Sequence, residues 1–213
     1  MLEEKNKLEL VAKELEKFQT TILVCKCDIS DKEQVKEMSK TVLEKFDTID
    51  ILVNNAGLMP LSFFKSLKFD EWDRMVDVNI KGVLYTTGAV ITHMKEKKSG
   101  HIVNLSSVAG RIVFPAGSVY CATKHAVAAF SEGLRQEFSV RSNIRVTSIE
   151  PGVVATELND TITDESLKGF VENTKKMEAL QADDIANAIL YVVDSPNHVN
   201  VNEILIRPTT QER

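Results

Sequence analysis

The sequence predicts an α/β protein built on a doubly wound, mostly parallel sheet. Strand-like and helix-like segments alternate along the chain, which is the pattern of a parallel sheet covered by helices. The segment 49–53 is almost continuously apolar, as expected of a strand buried on both faces of such a sheet. A chain of 213 residues is long enough for one large domain and too short for two, so we expect a single domain over residues 1–213.

The first part of the chain contains two helices and two strands by pattern. Residues 3–18 carry an apolar stripe at helical spacing, made by Leu8, Val11, Leu15 and Phe18. A strand is predicted over residues 21–25. A helix follows from Ser30 to about Phe46, and Ser30 and Glu33 match a capping box at its start. The apolar strand 49–53 comes next.

The rest of the chain continues the alternation without an internal repeat. Its predicted elements are a long helical region over 70–97, a strand over 101–105, a helix over 120–138, a strand over 144–149, a helix over 183–193 and a short strand over 202–206. Strands separated by helices in this way join a sheet as parallel neighbours.

Composition excludes several classes of protein. The net charge is -5 and no basic stretch offers a face for phosphates, so we expect no nucleic-acid partner. No apolar run approaches the roughly 20 residues needed to span a bilayer, and the charged N-terminus lacks the apolar core of a signal peptide. The three cysteines lack metal-ligand spacing. We therefore expect a cytoplasmic protein with no membrane partner and no metal.

Polar or glycine-bearing stretches follow the predicted strands. They are Asp28, residues 54–57, residues 106–107 and residues 151–156. Ligands of open α/β sheets bind beyond the carboxyl ends of the strands. Several such stretches at one edge of the sheet predict a ligand site there.

Tyr120 and Lys124 are the strongest candidates for proton transfer. They are spaced i and i+4, so they share one face of a helix. A neighbouring ammonium favours the phenolate, so we expect Lys124 to lower the pKa of Tyr120. Ser107, at the end of its strand, is placed to bond the same substrate oxygen. Asn79 lies in the middle of the helical stretch 76–80, and its residue type alone favours a solvent-facing position.

Taken together, these residues resemble the short-chain dehydrogenase/reductases, which are single-domain Rossmann-type oxidoreductases that use nicotinamide cofactors. The resemblance covers essentially the whole chain. It depends on motifs that occur in the family's order and spacing: Asn54-Asn55-Ala56-Gly57, Asn79, Leu105-Ser106-Ser107, Tyr120-x-x-x-Lys124 and Pro151-Gly152-x-Val154-x-Thr156.

The resemblance implies a role for each matched position. Tyr120 is the expected general acid/base, Ser107 orients the substrate oxygen, Lys124 tunes Tyr120 and holds the nicotinamide ribose, and Asn79 holds a water for proton relay. The implied contacts to NADP or NAD come from Asp28, Asn54, Ala56, Gly57, Tyr120, Lys124, Pro151, Gly152, Val154 and Thr156.

Within the family, residues 150–158 and the tail 199–208 resemble an NADP-dependent bacterial branch. That branch acts on short 3-hydroxy acids, serine-like alcohols and related small carbonyls, and a short polar segment over 157–180 suits a small substrate. Arg111 has two interpretations, a ligand for a substrate carboxylate or a member of a surface ion pair, and the second is favoured.

The family pattern normally begins with a strand, a glycine-rich turn, a helix and a second strand. None of these is recognisable here, and Gly57 is the first glycine in the sequence. Three explanations are open: a misassigned start or truncation, which we favour; a remnant whose gap a partner or swapped segment fills; and a cofactor-free relic. Two function classes follow, an NADP-dependent alcohol dehydrogenase or carbonyl reductase and a non-catalytic binding or structural protein on the same fold.

The resemblance also implies an oligomer. Members of the family are usually dimers or tetramers, and the packing helices here would be residues 81–98 and 119–138. We therefore expect a homodimer or homotetramer.

Overall fold

The computed structural model describes residues 2–212, with side chains for residues 7–174 and 176–212. Within these residues four strands form one sheet in which every neighbouring pair is parallel. The strands lie in chain order and are β1 (Ile51–Asn54), β2 (Gly100–Leu105), β3 (Ile144–Pro151) and β4 (Glu203–Ile206). The predicted α/β class with a parallel sheet is confirmed.

Seven α-helices alternate with these strands in the described part of the chain. They are α1 (Leu2–Leu15), α2 (Lys32–Phe46), α3 (Phe69–Val76), α4 (Val83–Lys97), α5 (Ser118–Ser142), α6 (Lys168–Lys176) and α7 (Ala182–Asp194). A π-helical turn, Asp77–Gly82, joins α3 to α4. Each helix predicted from the sequence is present.

Helices cover both faces of the sheet because strand side chains alternate between them. On one face, α4 and α5 pack onto the strands through a cluster made by Val90, Met94, Ile102, Leu134, Ile144 and Val146. On the other face, α7 packs through Val103, Ile149, Ile185 and Val192. Neighbouring residues of β2 thus enter different clusters, which confirms a doubly wound arrangement.

The prediction of a strand over residues 21–25 is wrong. These residues form no regular secondary structure and pair with none of the four strands of the described sheet. The expectation that residues 49–53 are buried on both faces is also wrong. β1 is an edge strand among the described residues, and Ile51 is 44% exposed and Val53 39% exposed. The apolar stripe of α1 likewise faces solvent, with Phe18 65% exposed.

The start of α2 also differs from the sequence interpretation. Asp31, rather than Ser30, is the N-cap, and its carboxylate accepts hydrogen bonds from the amides of Glu33 and Gln34. Ser30 instead donates its hydroxyl to Asp28 at 2.6 Å. Aspartate and serine cap equally well, so the choice depends on where the chain turns into the helix.

The three cysteines are free thiols. Across residues 2–212, histidine, cysteine and acidic side chains form no group that could hold a metal ion. A search of the same residues finds no helix with both the length and the apolarity needed to cross a bilayer.

A buried histidine links β2 and β3 to the segment just before β4 through hydrogen bonds. His101 on β2 is 2% exposed, and its Nε2 lies 2.8 Å from the Thr147 hydroxyl on β3. That hydroxyl donates to the carbonyl of Val201, just before β4, at 2.7 Å. Because the hydroxyl has one proton, it must accept from His101, which fixes the imidazole as the neutral Nε2–H tautomer. Nδ1 is buried and has no hydrogen-bond partner in the described structure.

We expect this histidine to make the fold sensitive to acid. Burial, together with the nearby charge of Arg145, lowers the pKa of His101 from 6.5 to about 4. The unfolded chain therefore binds a proton at a higher pH than the folded chain does. The stability that His101 contributes is complete above about pH 6.5 and falls as the pH drops toward about 4, by on the order of 3 kcal/mol. Urea unfolding across this interval measures the loss.

The matched variants are His101→Gln, which keeps a donor without a titrating ring, and His198→Gln at an exposed histidine. The first variant should lack this component of the acid sensitivity and the second should retain it. Parallel pH profiles for the wild type and His101→Gln would contradict the assignment.

Candidate active site

Tyr120 and Lys124 lie in the first turns of α5, both removed from solvent. They are 6% and 8% exposed, and the Lys124 ammonium lies 5.8 Å from the centroid of the Tyr120 ring. Lys124 Nζ donates a hydrogen bond of 2.8 Å to the carbonyl of Leu105, the last residue of β2. The predicted pair therefore shares a helix face, and that face points toward the end of a central strand.

Burial controls the protonation of both groups. It raises the pKa of Tyr120 to about 12, although the hydrogen bond between the Tyr120 and Ser107 side chains acts in the opposite direction. It lowers the pKa of Lys124 to about 8. The expectation that Lys124 lowers the pKa of Tyr120 is thus wrong, because desolvation of the phenolate by burial is the dominant effect and raises that pKa. At neutral pH Tyr120 is a neutral phenol with a proton to donate.

Ser107 lies directly after β2 and is held on both sides. Its hydroxyl accepts the amide of Ala109 at 3.1 Å, as the cap of the 3₁₀ turn Val108–Gly110, and contacts the carbonyl of Pro151 at 3.3 Å as a donor. With Tyr120 it forms a two-hydroxyl cluster at the carboxyl edge of the sheet. The structure thus brings Ser107, Tyr120 and Lys124 together.

Asn79 lies in the π-helical turn and is 1% exposed, so a solvent-facing position is excluded. Its amide accepts from the Leu58 nitrogen and donates to the Leu58 carbonyl, both at 2.8 Å. It also donates to the Thr123 hydroxyl at 3.2 Å, beside Lys124. π turns change the direction of side chains within a helix and frequently occur at functional sites. Here Asn79, in the π-helical turn, connects the loop that follows β1 to α5 through its hydrogen bonds to Leu58 and Thr123.

The loop after β1 contributes a glycine to the site. A Cβ atom on Gly57 would lie 3.5 Å from Asn79 Oδ1 and 3.8 Å from Lys124 Nζ. Gly57 therefore borders the candidate proton-transfer residues, and Ala56 beside it is exposed.

Asn54 differs from these neighbours because both the nitrogen and the oxygen of its side-chain amide are hydrogen-bonded within the protein. It donates to Asn104 at 2.8 Å and to Thr87 at 3.3 Å, and it accepts from Thr86 at 2.6 Å. Asn104 in turn donates to Ser131 on α5 at 2.9 Å. This buried polar network was not found from the sequence, although Asn104 within an apolar strand was a signal for it.

A cleft of about 400 Å³ opens beside the end of β3. It is lined by residues 153–157, Asn159, Asp160, Thr174, Met177 and Ala179. Val153 and Ala155 bond to the backbone of Leu180, so the predicted segment 151–156 forms one wall while residues 157–180 fold over it. Val154 and Thr156 therefore lie in this wall of the cleft.

Asp28 lies apart from this cluster. Its carboxylate accepts from Ser30 and pairs with Arg74 on α3 at 3.2 Å, and these hydrogen bonds, with Ser30 first, lower its pKa. It is brought near the π-helical turn by Ile29, which packs against Gly82.

Arg111 binds two carboxylates of the protein. Its Nε lies 2.6 Å from Glu150, and its terminal nitrogen contacts Glu203. Arg111 therefore forms ion pairs, as favoured, but only the pair with Glu203 lies at the surface, because Glu150 is fully buried. Glu150 is a residue that the sequence analysis missed.

Asp164 connects the segment 157–180 to the loop after β1. It accepts from the amide and hydroxyl of Ser166, from the Ser66 hydroxyl at 2.7 Å and from the Phe63 amide at 3.2 Å. These bonds, led by that from the Ser166 hydroxyl, hold the pKa of Asp164 far below its usual range. The contact holds the segment 157–180 against the loop after β1 and was not predicted.

Comparisons with known proteins agree with this geometry. A family model described as short chain dehydrogenase matches residues 1–167. An uncharacterized oxidoreductase of Staphylococcus saprophyticus is 50% identical over 192 residues, which cover 90% of this chain and 78% of that protein. Another, from Listeria innocua, is 39% identical over 206 residues, covering 96% and 83% of the two chains.

The fold is also similar to those of solved dehydrogenase structures. The closed form of serine dehydrogenase complexed with NADP+ has a TM-score of 0.85 and 35% identity, over 94% of this chain and 82% of that one. An alcohol dehydrogenase from the archaeon Thermococcus sibiricus, complexed with 5-hydroxy-NADP, has a TM-score of 0.84 and 27% identity, over 98% and 84%.

We expect Asp164→Ala to loosen the segment over the cleft. The substitution leaves the Phe63 and Ser166 amides and two hydroxyls without their acceptor, which costs about 1–3 kcal/mol locally. Limited trypsin digestion should cleave within residues 157–180 about tenfold faster or more than in the wild type.

Glu165→Ala is the matched control, because the neighbouring carboxylate is 80% exposed and pairs with Lys168 on the surface. Its cleavage rate should stay near that of the wild type. Equal rates for Asp164→Ala and the wild type would show that Asp164 does not hold this segment.

Proposed function

The chain belongs to the short-chain dehydrogenase family, and from this membership we propose that it transfers a hydride between a nicotinamide cofactor and a small alcohol or carbonyl compound. The observation that carries the proposal is the buried cluster of Tyr120, Ser107 and Lys124 at the carboxyl edge of the sheet. Ser107 of this cluster contacts the carbonyl of Pro151, two residues before the first residue that lines the cleft of about 400 Å³. Family membership makes the protein an oxidoreductase; the substrate class and the residue roles are the proposal.

Tyr120 acts as the acid in carbonyl reduction. Its raised pKa keeps the phenol protonated at neutral pH, so it can donate its proton to a carbonyl oxygen. Ser107 bonds the same oxygen and orients it. In the oxidation direction the same two hydroxyls receive the alcohol proton, and any added positive charge in the cleft favours the phenolate that this direction needs.

Lys124 and Asn79 support Tyr120. The bond from Lys124 to the Leu105 carbonyl holds its ammonium on the Tyr120 side of α5, where it would meet a ribose hydroxyl. Asn79 fixes the loop that carries Gly57 and Leu58. A water held by Asn79 for proton relay belongs to this proposal as well.

The residues present fit a nicotinamide cofactor. Gly57 borders the Lys124 ammonium, since a Cβ there would lie in ordinary contact with it at 3.8 Å. The residues that would hold the cofactor are Asp28, Asn54, Ala56, Gly57, Tyr120, Lys124, Pro151, Gly152, Val154 and Thr156. When bound, the cofactor supplies or accepts the hydride. We propose NADP ahead of NAD, because the similar serine dehydrogenase and alcohol dehydrogenase were solved with NADP+ and an NADP derivative.

Short 3-hydroxy acids of the serine type are the substrates to screen first. The support is the 35% identity to serine dehydrogenase over 94% of this chain. We further propose a cytoplasmic homodimer or homotetramer that packs through α4 and α5, built from a single domain over residues 1–213.

Cofactor binding tests the proposal most directly. Titration with NADPH and NADH, followed by nicotinamide fluorescence, should show saturable binding that is tighter for NADPH. A folded, monodisperse chain that binds neither would favour a non-catalytic binding or structural protein on the same fold.

We expect Tyr120→Phe to lower kcat by roughly 10²–10⁴-fold, since it removes the proton donor and keeps the ring. NADPH affinity should change little, because the phenol hydroxyl acts on the substrate oxygen. Tyr191→Phe, at a tyrosine that is 64% exposed, is the control and should leave kcat unchanged. Full activity in Tyr120→Phe would remove Tyr120 from the proposed chemistry.

A further inference from the structure

A buried ion pair lies behind the candidate active site. Glu150, near the end of β3, is 0% exposed, and Arg111 Nε donates to one of its oxygens at 2.6 Å. Ser148 donates to the other oxygen at 3.1 Å. The outer end of the guanidinium contacts Glu203 at the start of β4. One arginine therefore connects the turn after β2 to both β3 and β4.

Stability alone does not account for such a pair. Removing a carboxylate from water is costly, and replacement of a buried ion pair by apolar side chains of similar volume is often neutral or stabilising. What the pair does supply is a fixed orientation of the turn after β2 relative to β3. A planar guanidinium bonds its carboxylates only in a narrow range of geometries.

This orientation matters because the two residues of the ion pair belong to segments that border the candidate active site. Arg111 closes the 3₁₀ turn that Ser107 caps, and Glu150 immediately precedes Pro151. The same two segments are joined again by the contact of the Ser107 hydroxyl with the Pro151 carbonyl and by the bond from the Ser106 amide to the Ile149 carbonyl. The ion pair is thus the charged one of three contacts between the turn after β2 and the end of β3. It involves the C-terminal end of that turn.

The turn has little room to move in other directions. A Cβ atom on Gly110 would lie 2.6 Å from the Ser106 hydroxyl and 2.9 Å from the Lys124 carbonyl. The turn is therefore pressed against α5, close to the backbone of Lys124. A shift of Arg111 would move Ser107 along the edge of the sheet, relative to Tyr120 and to the wall 151–156.

We propose that Arg111 and Glu150 are positioning residues, which set the place of Ser107 between Tyr120 and the wall 151–156. The proposal builds on the proposed hydride-transfer function and assigns no contact with substrate to either residue. Arg111 then serves the reaction through Ser107 rather than by binding a substrate carboxylate.

The test separates positioning from stability with a double variant, Arg111→Met with Glu150→Leu. It removes both charges and keeps an apolar filling, so no carboxylate is left buried and unpaired. We expect kcat for carbonyl reduction to fall tenfold or more, while the Kd for NADPH, measured by fluorescence titration, stays within about threefold of the wild-type value. Amide hydrogen exchange at Ala109 and Gly110, which bond to Ser107, should become tenfold faster or more.

Two further variants keep the test decisive. Arg111→Lys retains the positive charge but loses the planar fork, and it should reproduce the fall in kcat even if the double variant does not fold. Arg135→Met removes a matched ion pair, Arg135 Nε with Glu132 at 2.6 Å on α5, and should change neither kcat nor the exchange rates.

Wild-type kcat and wild-type exchange in the double variant, or in Arg111→Lys where that variant alone folds, would overturn the positioning role. The failure of the proposed function has a different signature, which is a wild-type chain that reduces no carbonyl with NADPH. In that case amide exchange at Ala109 and Gly110 still decides whether the ion pair holds the turn.

Discussion

Polar side chains buried at the carboxyl ends of β1, β2 and β3 must find hydrogen-bond partners inside the protein, and this constraint shapes the rest of the site. A buried polar group without a partner costs free energy comparable to a lost hydrogen bond. Asn54 and Asn104 therefore bond to each other across the sheet, and Asn79 bonds both backbone groups of Leu58. Each bond that satisfies a buried group also fixes a loop.

The same burial sets the chemistry that is available. A phenol and an ammonium taken out of water both move toward their neutral forms, so Tyr120 keeps its proton and Lys124 gives up its proton more readily. A neutral phenol bonded to a serine hydroxyl is suited to protonate a carbonyl oxygen. The ion pair of Arg111 with Glu150 meets the same constraint for a charged residue, because a fully buried carboxylate requires a cation and a hydroxyl beside it.

The strands of the sheet differ in how completely neighbouring strands and helices enclose them. β2 and β3 have neighbours on both edges and helices on both faces, and the site lies at their ends. β1 has a neighbour on one edge in the described chain, and Ile51 and Val53 are partly exposed beside it. The candidate proton-transfer residues on α5 therefore lie against the ends of the best-enclosed strands, where rigid positioning has the largest effect on rate.

The sequence by itself determined the fold class, the strands β1 to β4 and every helix except α6. It also singled out Ser107, Tyr120 and Lys124, which lie close together in the structure. These features depend on periodicity and on motif spacing, which are short-range properties that a single chain displays directly. The N-cap of α2 was misplaced by one residue because serine and aspartate cap equally well. Only the tertiary structure decided that residues 21–25 are unpaired, that burial raises the pKa of Tyr120, and that Glu150 holds Arg111. Strand pairing, desolvation and ion-pair choice all depend on segments far apart in the chain meeting in space, and no local pattern records which of them meet.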